Sequence, residues 1–312
     1  MISLTENSKE KMKYNDLSLY IIIVIGLSFS VFGIFYVLGL IFQFLSSEII
    51  NIFILAYMFL PTLTAIIIQK FIRKEKILNI KGLKFGKFTY YLIAIVLSFI
   101  IVFLAFFIAL SFPGVEYDKN LEILQQYADL PESLLSLPDP AMIYILTSIP
   151  NAIIFGATYN AFFAFGEELG WRGFMLDSLG KKKFGFWRAS ILIGIVWGFW
   201  HAPIILFFGL NYPEHRIEGV FMMVGFTVLL SPILTYLTLK GESVFIASVF
   251  HGTINAIAGI SIVLKGGNDL INSVAGLSGF IACIIIIIIM VTIDRFLVKN
   301  PLINQKEKFK AN

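Results

Sequence analysis

Long uninterrupted apolar blocks are the feature of this sequence that most restricts its fold. Of its 312 residues, 58% are hydrophobic and only 14% are charged, whereas about a quarter of the residues in a soluble domain are charged. Apolar runs of about 18 residues or more are typical of helices that span a membrane. The blocks are too long and too uniformly apolar for the strands of a membrane β-barrel.

Eight such blocks predict an all-α fold, a polytopic transmembrane helical bundle. The predicted spans are residues 17–45, 49–69, 89–112, 141–168, 186–209, 219–239, 244–264 and 271–298. The first block follows Lys9, Lys11 and Lys13. It is too long for the apolar region of a secretion signal and lacks a convincing cleavage site, so we interpret it as a retained span.

The distribution of basic residues predicts the orientation of the bundle. If the N-terminus is cytoplasmic, only three of the 24 basic residues fall on the outer side, namely Lys119, Arg216 and Lys265. This positive-inside bias predicts that both termini are cytoplasmic. The longest outer loop, residues 113–140, is acidic, and its leucine spacing over residues 121–137 predicts a short helix on the outer surface.

Composition also excludes several kinds of site and partner. The net charge of +4 reflects where the lysines lie and does not indicate nucleic-acid binding. Cys283 is the only cysteine, which excludes an internal disulfide and a metal cluster held by thiolates. Because it lies in an isoleucine run, we interpret it as an inert buried thiol.

Polar residues inside the apolar blocks are the candidates for a functional site, because a charge within the bilayer costs at least a few kcal/mol. They are Glu167, Glu168, Arg172, His201, His251 and Asn255. Glu168 and Arg172 have the spacing and order of a helical ion pair. Counted from the nearest cytoplasmic basic residues, Glu167, His201, His251 and Asn255 all lie about 16–23 Å deep on three helices. This common depth predicts that the residues line one polar cavity. Polar residues that only formed hydrogen bonds between helices would not need to lie at the same depth.

This set supplies what peptide hydrolysis inside a membrane requires. A carboxylate and an imidazole can take a proton from a shared water, and a second imidazole with an amide can donate to an oxyanion. Nearby serines and threonines lack a motif that would activate them as nucleophiles. Two histidines and a glutamate are also a common zinc set, so Zn²⁺ bound by Glu167, His201 and His251 is the alternative. We favour a site without a metal or other cofactor, since the helical HExxH motif is absent.

Three ordered motifs resemble those of a known family. Residues 167–172 (EELGWR) match EExxxR, residues 197–201 (WGFWH) resemble FxxxH with Trp197 in place of phenylalanine, and residues 251–255 (HGTIN) match HxxxN. The trio resembles the CPBP family of intramembrane proteases. That family includes the type II CAAX prenyl endopeptidases and the bacterial bacteriocin-processing and self-immunity (Abi-type) members.

The resemblance implies an eight-helix fold with a cavity open to the cytoplasm. It implies that Glu167 and His201 activate water while His251 and Asn255 hold the oxyanion. The supporting residues would be Glu168, Arg172 and Trp197. Because many members are described as metalloproteases, zinc remains the alternative cofactor.

We therefore predict a hydrolase, an intramembrane endopeptidase in CAAX-type processing, peptide maturation or self-immunity. Its predicted partners are membrane lipid and a protein or peptide substrate, lipidated or not, and its oligomeric state is open. The Ile-, Phe-, Lys- and Asn-rich composition favours a bacterial plasma membrane.

The resemblance covers residues 141–262, which we predict as a protease core of helices four to seven. Residues 1–140 would form the N-terminal helices and the outer acidic loop, and residues 263–312 the last helix and a basic cytoplasmic tail. The alternatives are a catalytically silent immunity or scaffold protein with the same fold and, less favoured, a transporter. The sequence shows neither the repeated halves nor the paired discontinuous helices of a transporter.

Overall fold

Helices make up 74% of the protein in the computed structural model. It describes residues 6–126 and 128–303, with side chains from residue 16 onward except that of Lys181. Eight helices in this part of the chain are long and apolar enough to cross a membrane, which confirms the predicted bundle. They are α1 (Glu6–Phe42), α2 (Ser47–Ile72), α3 (Phe88–Ala109), α4 (Pro140–Gly180), α5 (Phe186–Phe208), α6 (Arg216–Gly241), α7 (Val244–Val263) and α8 (Leu277–Phe296).

The observed bounds differ from the predicted spans at α1, which begins at Glu6, and at α4 and α8. α4 extends to Gly180 and includes the whole EELGWR segment. α8 begins at Leu277, later than predicted. The residues before it form a strand and turns, because Gly266 and Gly267 adopt φ angles of 74° and 66°. Glycine reaches this left-handed region without steric cost, and a helix cannot continue through it.

Two spans are interrupted at a residue that precedes a proline. α2 is broken at residues 58–59, before Pro61. α5 is broken at His201, before Pro203. Proline has no N–H to donate and its ring displaces the preceding turn. Each break therefore follows from the sequence, and each lies beside a residue of the site described below.

α4 is the longest span, with 41 residues. It contains two π-helical stretches, the second of which is Leu169–Met175. Residues 166–179 are all buried. A Cβ on Gly170 would lie 2.6 Å from both Pro61 and Tyr20, so α4 approaches α2 and α1 closely here. The second half of α4 is therefore enclosed by protein, as a polar segment at membrane depth requires.

The loops and chain ends divide between two faces of the bundle. The terminal face carries the start of α1, the end of α8 and loops 73–87, 181–185 and 242–243. The distal face carries loops 43–46, 110–139, 209–215 and 264–276. Contacts agree with this division: Lys87 N–H donates to the Gly241 carbonyl on the terminal face, and strand β1 (Glu116–Tyr117) pairs antiparallel with β2 (Leu264–Lys265) on the distal face.

Positive-inside bias predicts that the terminal face is cytoplasmic. The side chains of Lys9, Lys11 and Lys13, and the basic tail beyond residue 303, lie outside the described residues.

The distal loop 110–139 is less helical than predicted. It contains a 3₁₀ turn at Leu124–Gln126 and a four-residue helix at Glu132–Leu135. Pro131 begins the second piece and cannot continue a helix from the first, because it lacks an N–H. Tyr127, in the predicted amphipathic stretch, lies outside the described residues.

Candidate active site

A cavity of about 420 Å³ lies inside the bundle. Glu167 of α4, His201 of α5, and His251 and Asn255 of α7 all line it, as does Trp197. The structure thus places these side chains together, as their common depth predicts. Two further predicted residues, Glu168 and Arg172, lie behind this layer and do not line the cavity.

Glu167 is held in place by a tryptophan. Its side chain is buried, with 2% exposure, and its Oε2 accepts a hydrogen bond from the Trp197 indole Nε1 at 2.6 Å. Hydrogen bonds to a carboxylate are short and strong when the acceptor is ionised. Trp197 is therefore a positioning residue for Glu167 as well as part of the cavity wall.

His201 lies at the interruption of α5. Its backbone N–H donates to the Gly198 carbonyl, three residues back. Its ring Nδ1 lies 2.9 Å from the Trp197 carbonyl oxygen. Because a carbonyl can only accept, Nδ1 carries the proton in this contact. Nε2 is then the nitrogen whose lone pair is available to the cavity.

His251 is oriented by Glu168. Its Nδ1 lies 3.0 Å from Glu168 Oε1. The same carboxylate pairs with Arg172, whose Nη1 lies 3.1 Å from Oε2. A carboxylate bound to one ring nitrogen fixes the orientation of the imidazole and leaves the other nitrogen for chemistry. The ion pair between Glu168 and Arg172 was predicted from their spacing, whereas the contact between Glu168 and His251 was not.

Arg172 fills the space behind the site. Both its side chain and that of Glu168 are fully buried. Its guanidinium lies 4.6 Å from the centre of the Trp197 ring, within the range of a cation–π contact. Arg172 therefore contacts the two residues that position Glu167 and His251.

Exposure to the cavity rises along α5 and α7. On α7, His251 is 5% exposed, and Asn255, one turn later, is exposed. On α5, Trp197 is 2% exposed, and His201, one turn later, is half-buried. Both helices run from the terminal face to the distal face, so the site becomes more open toward the distal face.

Residues of the distal loops complete the lining. Leu210 and Asn211 come from one loop, and Ser273, Val274 and Ala275 come from another. The resemblance implied a cytoplasmic opening. With the terminal face cytoplasmic, this lining lies on the opposite side.

Two polar residues near the cavity were not predicted. Tyr57 lines the cavity, its ring stacked on Trp200 with centroids 4.2 Å apart. Its hydroxyl donates to the Trp200 carbonyl at 2.8 Å. Ser28 of α1 donates to the same carbonyl at 2.9 Å and also contacts the Tyr57 hydroxyl. Tyr57 could have been identified from the sequence by its position just before Pro61, which interrupts α2.

The arrangement does not match a closed metal site. In the described chain, Glu214, His215 and Asp269 are the group of three His, Cys, Asp or Glu residues whose ligand atoms lie within 4.8 Å of one another. They lie at the distal face. Glu167, His201 and His251 do not form such a group, so we derive no catalytic step through a metal there.

Comparison with known proteins finds similarity to one family model and to two curated relatives. Residues 141–257 match the family model "Type II CAAX prenyl endopeptidase Rce1-like". The chain is similar to "CAAX prenyl protease 2" of Methanococcus maripaludis, with 31% identity over 163 residues, which cover 44% of this chain and 57% of the relative. It is also similar to "Lysostaphin resistance protein A" of Staphylococcus haemolyticus, with 30% identity over 152 residues, which cover 48% of this chain and 38% of the relative.

The chain thus spans about half the length of the curated relatives it matches. The matched segment contains every predicted site residue, from Glu167 to Asn255. The eight long apolar helices among the described residues make the protein an integral membrane protein. The resemblance to the CPBP family is confirmed, because residues 141–257 match the Rce1-like family model.

Proposed function

We propose that this protein is an intramembrane endopeptidase of the CAAX type, which hydrolyses peptide bonds in membrane-associated proteins or peptides. One observation carries the proposal. A carboxylate, two imidazoles whose Nδ1 atoms are engaged, and an amide line one cavity, although they come from three helices. The match to the Rce1-like family supports the same class of activity.

In the proposed mechanism, Glu167 and His201 activate a water molecule. The Glu167 carboxylate and the His201 Nε2 hold the water between them and take one proton as its oxygen adds to the scissile carbonyl carbon. Trp197 keeps both groups in place, because its indole bonds to Glu167 and its carbonyl to His201.

His251 and Asn255 stabilise the charge that develops on the carbonyl oxygen. Nε2–H of the protonated His251 ring and the side-chain amide of Asn255 donate to this oxyanion. When the tetrahedral intermediate collapses, the carbon–nitrogen bond breaks and the proton held by Glu167 and His201 passes to the leaving amine. The products are a new carboxylate and a new amino terminus.

The test compares peptides released from membranes of cells that produce the wild-type protein or Glu167→Gln. Glutamine has nearly the same shape but cannot take a proton from water. Peptides that disappear with Glu167→Gln, at an unchanged amount of folded protein, would identify substrates. The matched control is Glu218→Gln, because Glu218 is exposed at the distal end of α6. An unchanged peptide pattern with Glu167→Gln would contradict proteolysis.

The proposed mechanism needs no metal, and a chelator separates it from the zinc alternative. Without a metal, chelation leaves activity intact, and His251→Asn keeps a trace of activity through its remaining donor. Inhibition by a chelator that added zinc reverses, with stoichiometric zinc in the purified protein, would instead assign Glu167, His201 and His251 as ligands.

A second candidate is a resistance or immunity role without proteolysis. The similarity to the lysostaphin resistance protein favours it. In that case a resistance phenotype would persist in Glu167→Gln. In either role we propose that the protein lies in a bacterial plasma membrane and contacts lipid.

A further inference from the structure

We infer that Tyr57 and Ser28 are positioning residues for His201, which they hold through the backbone carbonyl of Trp200. Neither residue belongs to the three motifs of the sequence, and neither takes part in the proposed reaction. The effect on catalysis rests on the proposed function. The effect on the His201 imidazole does not, because it follows from hydrogen bonds to the chain that carries this ring.

The Trp200 carbonyl lies where α5 is interrupted. The first segment of α5 ends at Trp200, and the second begins at Ala202, which Pro203 follows. The last carbonyl groups of a helix have no partner within that helix. Trp200 is only 1% exposed, and a buried carbonyl without a partner is costly. Its oxygen therefore depends on donors from other parts of the protein.

Two hydroxyl groups act as these donors. Tyr57 donates to the Trp200 carbonyl oxygen at 2.8 Å and Ser28 at 2.9 Å. Both residues are buried, and their hydroxyl groups also contact each other. Residues of α1 and α2 thus hold one oxygen atom of α5, and either hydroxyl alone can still donate to it.

This oxygen belongs to the peptide group that contains the His201 nitrogen. Because a peptide group is planar, holding its oxygen also fixes the direction in which the chain enters His201. The ring has a second restraint, since Nδ1 lies 2.9 Å from the Trp197 carbonyl oxygen. Loss of both donors to Trp200 would let the backbone at His201 turn, and the ring Nε2 would turn with it.

Tyr57 is itself anchored against α4. It ends the first segment of α2, and the break that follows packs on the backbone of α4. A Cβ on Gly166 would lie 2.7 Å from the Met58 carbonyl oxygen, so no side chain separates the two chains here. Gly166 directly precedes Glu167. Through Tyr57, His201 is therefore held in a fixed position relative to the backbone of Glu167.

These contacts give the break in α2 a role in the site. The proposed mechanism requires that a carboxylate and an imidazole hold one water between them, so the separation of Glu167 and His201 matters. α2 contributes no catalytic group to this mechanism. Its break contacts α4 beside Glu167, and the Tyr57 hydroxyl contacts α5 beside His201. We therefore expect α2 to set the separation of the two groups.

The test measures the reactivity of His201 in the purified full chain. Diethyl pyrocarbonate acylates the unprotonated nitrogen of an imidazole, and mass spectrometry gives the rate at each histidine. The chain has three histidines, so His215 and His251 are internal references. Ser28→Ala/Tyr57→Phe should raise the rate at His201 about tenfold, because the anchoring carbonyl loses both donors. Each single substitution should change it by less than about twofold, since one hydroxyl remains.

The matched control is Ser148→Ala/Tyr236→Phe. These hydroxyl groups bond to the Tyr144 carbonyl and the Asp294 carboxylate, and neither residue lines the cavity. The control removes the same two hydroxyl groups from other places in the bundle, so the rate at His201 should equal that of the wild type.

Gly166→Ala is a second variant, for the case in which the double substitution lowers the amount of folded protein. It keeps both hydroxyl groups but forces α4 and the break in α2 apart. The rate at His201 should rise about threefold, because overpacking of this kind shifts the backbone. Its control is Gly26→Ala in α1, where a Cβ meets nothing within 4 Å.

Peptide release connects the positioning to the proposed function. Ser28→Ala/Tyr57→Phe should release peptides about 10²-fold more slowly than the wild type, since a displacement of even 1 Å can have an effect of this size. Each single variant should lose far less activity, because the remaining hydroxyl still holds the carbonyl.

An unchanged rate at His201 in the double variant, or wild-type peptide release by it, would overturn the inference. Equal increases at all three histidines would also overturn it, because they would indicate general loosening of the bundle. If no variant releases peptides but the rate rises at His201 alone, the proposed function fails and the positioning role stands.

Discussion

The half of the bundle next to the terminal face and the half next to the distal face use polar residues differently. On the terminal side, charged side chains are paired: the fully buried Arg172 with Glu168, and the half-buried Lys240 with the buried Asp294. On the distal side, the bundle contains a cavity, and hydrogen bonds between loops define its rim. The terminal half therefore fixes the positions of the proposed catalytic groups, while the distal half contains most of the cavity that they line. Rigid packing and open space are thus separated along the helix axes.

The largest effect should come from Arg172→Ala, which removes the buried ion pair of the terminal half. The substitution leaves the buried Glu168 with the His251 ring but without its guanidinium partner, and loss of one partner of a buried pair costs about 3–5 kcal/mol. We expect less folded protein after detergent extraction and lower activity of what remains. Arg188→Ala is the matched control, because Arg188 is exposed. Wild-type yield and activity of Arg172→Ala would show that the pair does not support the site.

The next largest effect should be a loss of proteolysis when a cavity-lining residue of the proposed site is replaced. Asn255→Ala should lower proteolysis by about two to three orders of magnitude, the usual cost of an oxyanion donor, without lowering the amount of folded protein. His201→Ala should also abolish proteolysis. Peptide release measures both, with the exposed terminal-face substitution Asn79→Ala as control. Wild-type turnover by Asn255→Ala would remove this residue from the mechanism.

A pair of glycine substitutions compares the packing of the two halves directly. Gly170→Ala places a Cβ 2.6 Å from Pro61 and Tyr20, and overpacking of this kind costs about 1–3 kcal/mol. Gly259→Ala, beside the cavity, meets only the Tyr144 hydroxyl at 3.7 Å. Thermal unfolding in detergent should show a lower Tm for Gly170→Ala alone. Equal shifts in Tm would contradict the difference in packing.

The smallest effect should be a pH dependence at the distal rim. The hydrogen bond to Asp269 raises the pKa of His215 above its ordinary value. Because the folded-state pKa is raised, the stabilisation is fully present below the unfolded pKa of about 6.5. It is lost as pH rises through the folded-state pKa.

Asp269→Asn should remove this part of the dependence, measured as the difference in Tm between wild type and variant across pH. A difference that does not vary with pH would show that the pair contributes no titrating stabilisation.

The membrane-spanning helices could be predicted from the sequence because such spans are encoded by local composition. The proximity of Glu167, His201, His251 and Asn255 could also be predicted, since the depth of a residue in the membrane can be counted along its helix. The helix rotations and packing that decide which side chains touch are not local. The contact between Glu168 and His251 joins residues 83 positions apart, and the direction of the opening depends on loops whose turns carry no apolar periodicity.

The length of α4 has a consequence for the lipid around the protein. As a straight helix, its 41 residues would extend about 60 Å, roughly twice the hydrocarbon thickness of a bilayer. The helix must therefore tilt, bend or leave the bilayer, and Pro150 and the π-helical stretches are places where it can bend. Its first half has exposed apolar side chains, whereas its second half carries Glu167, the proposed catalytic glutamate, inside the protein. A change in bilayer thickness would act on the first half, and the continuous helix would transmit that mismatch to Glu167.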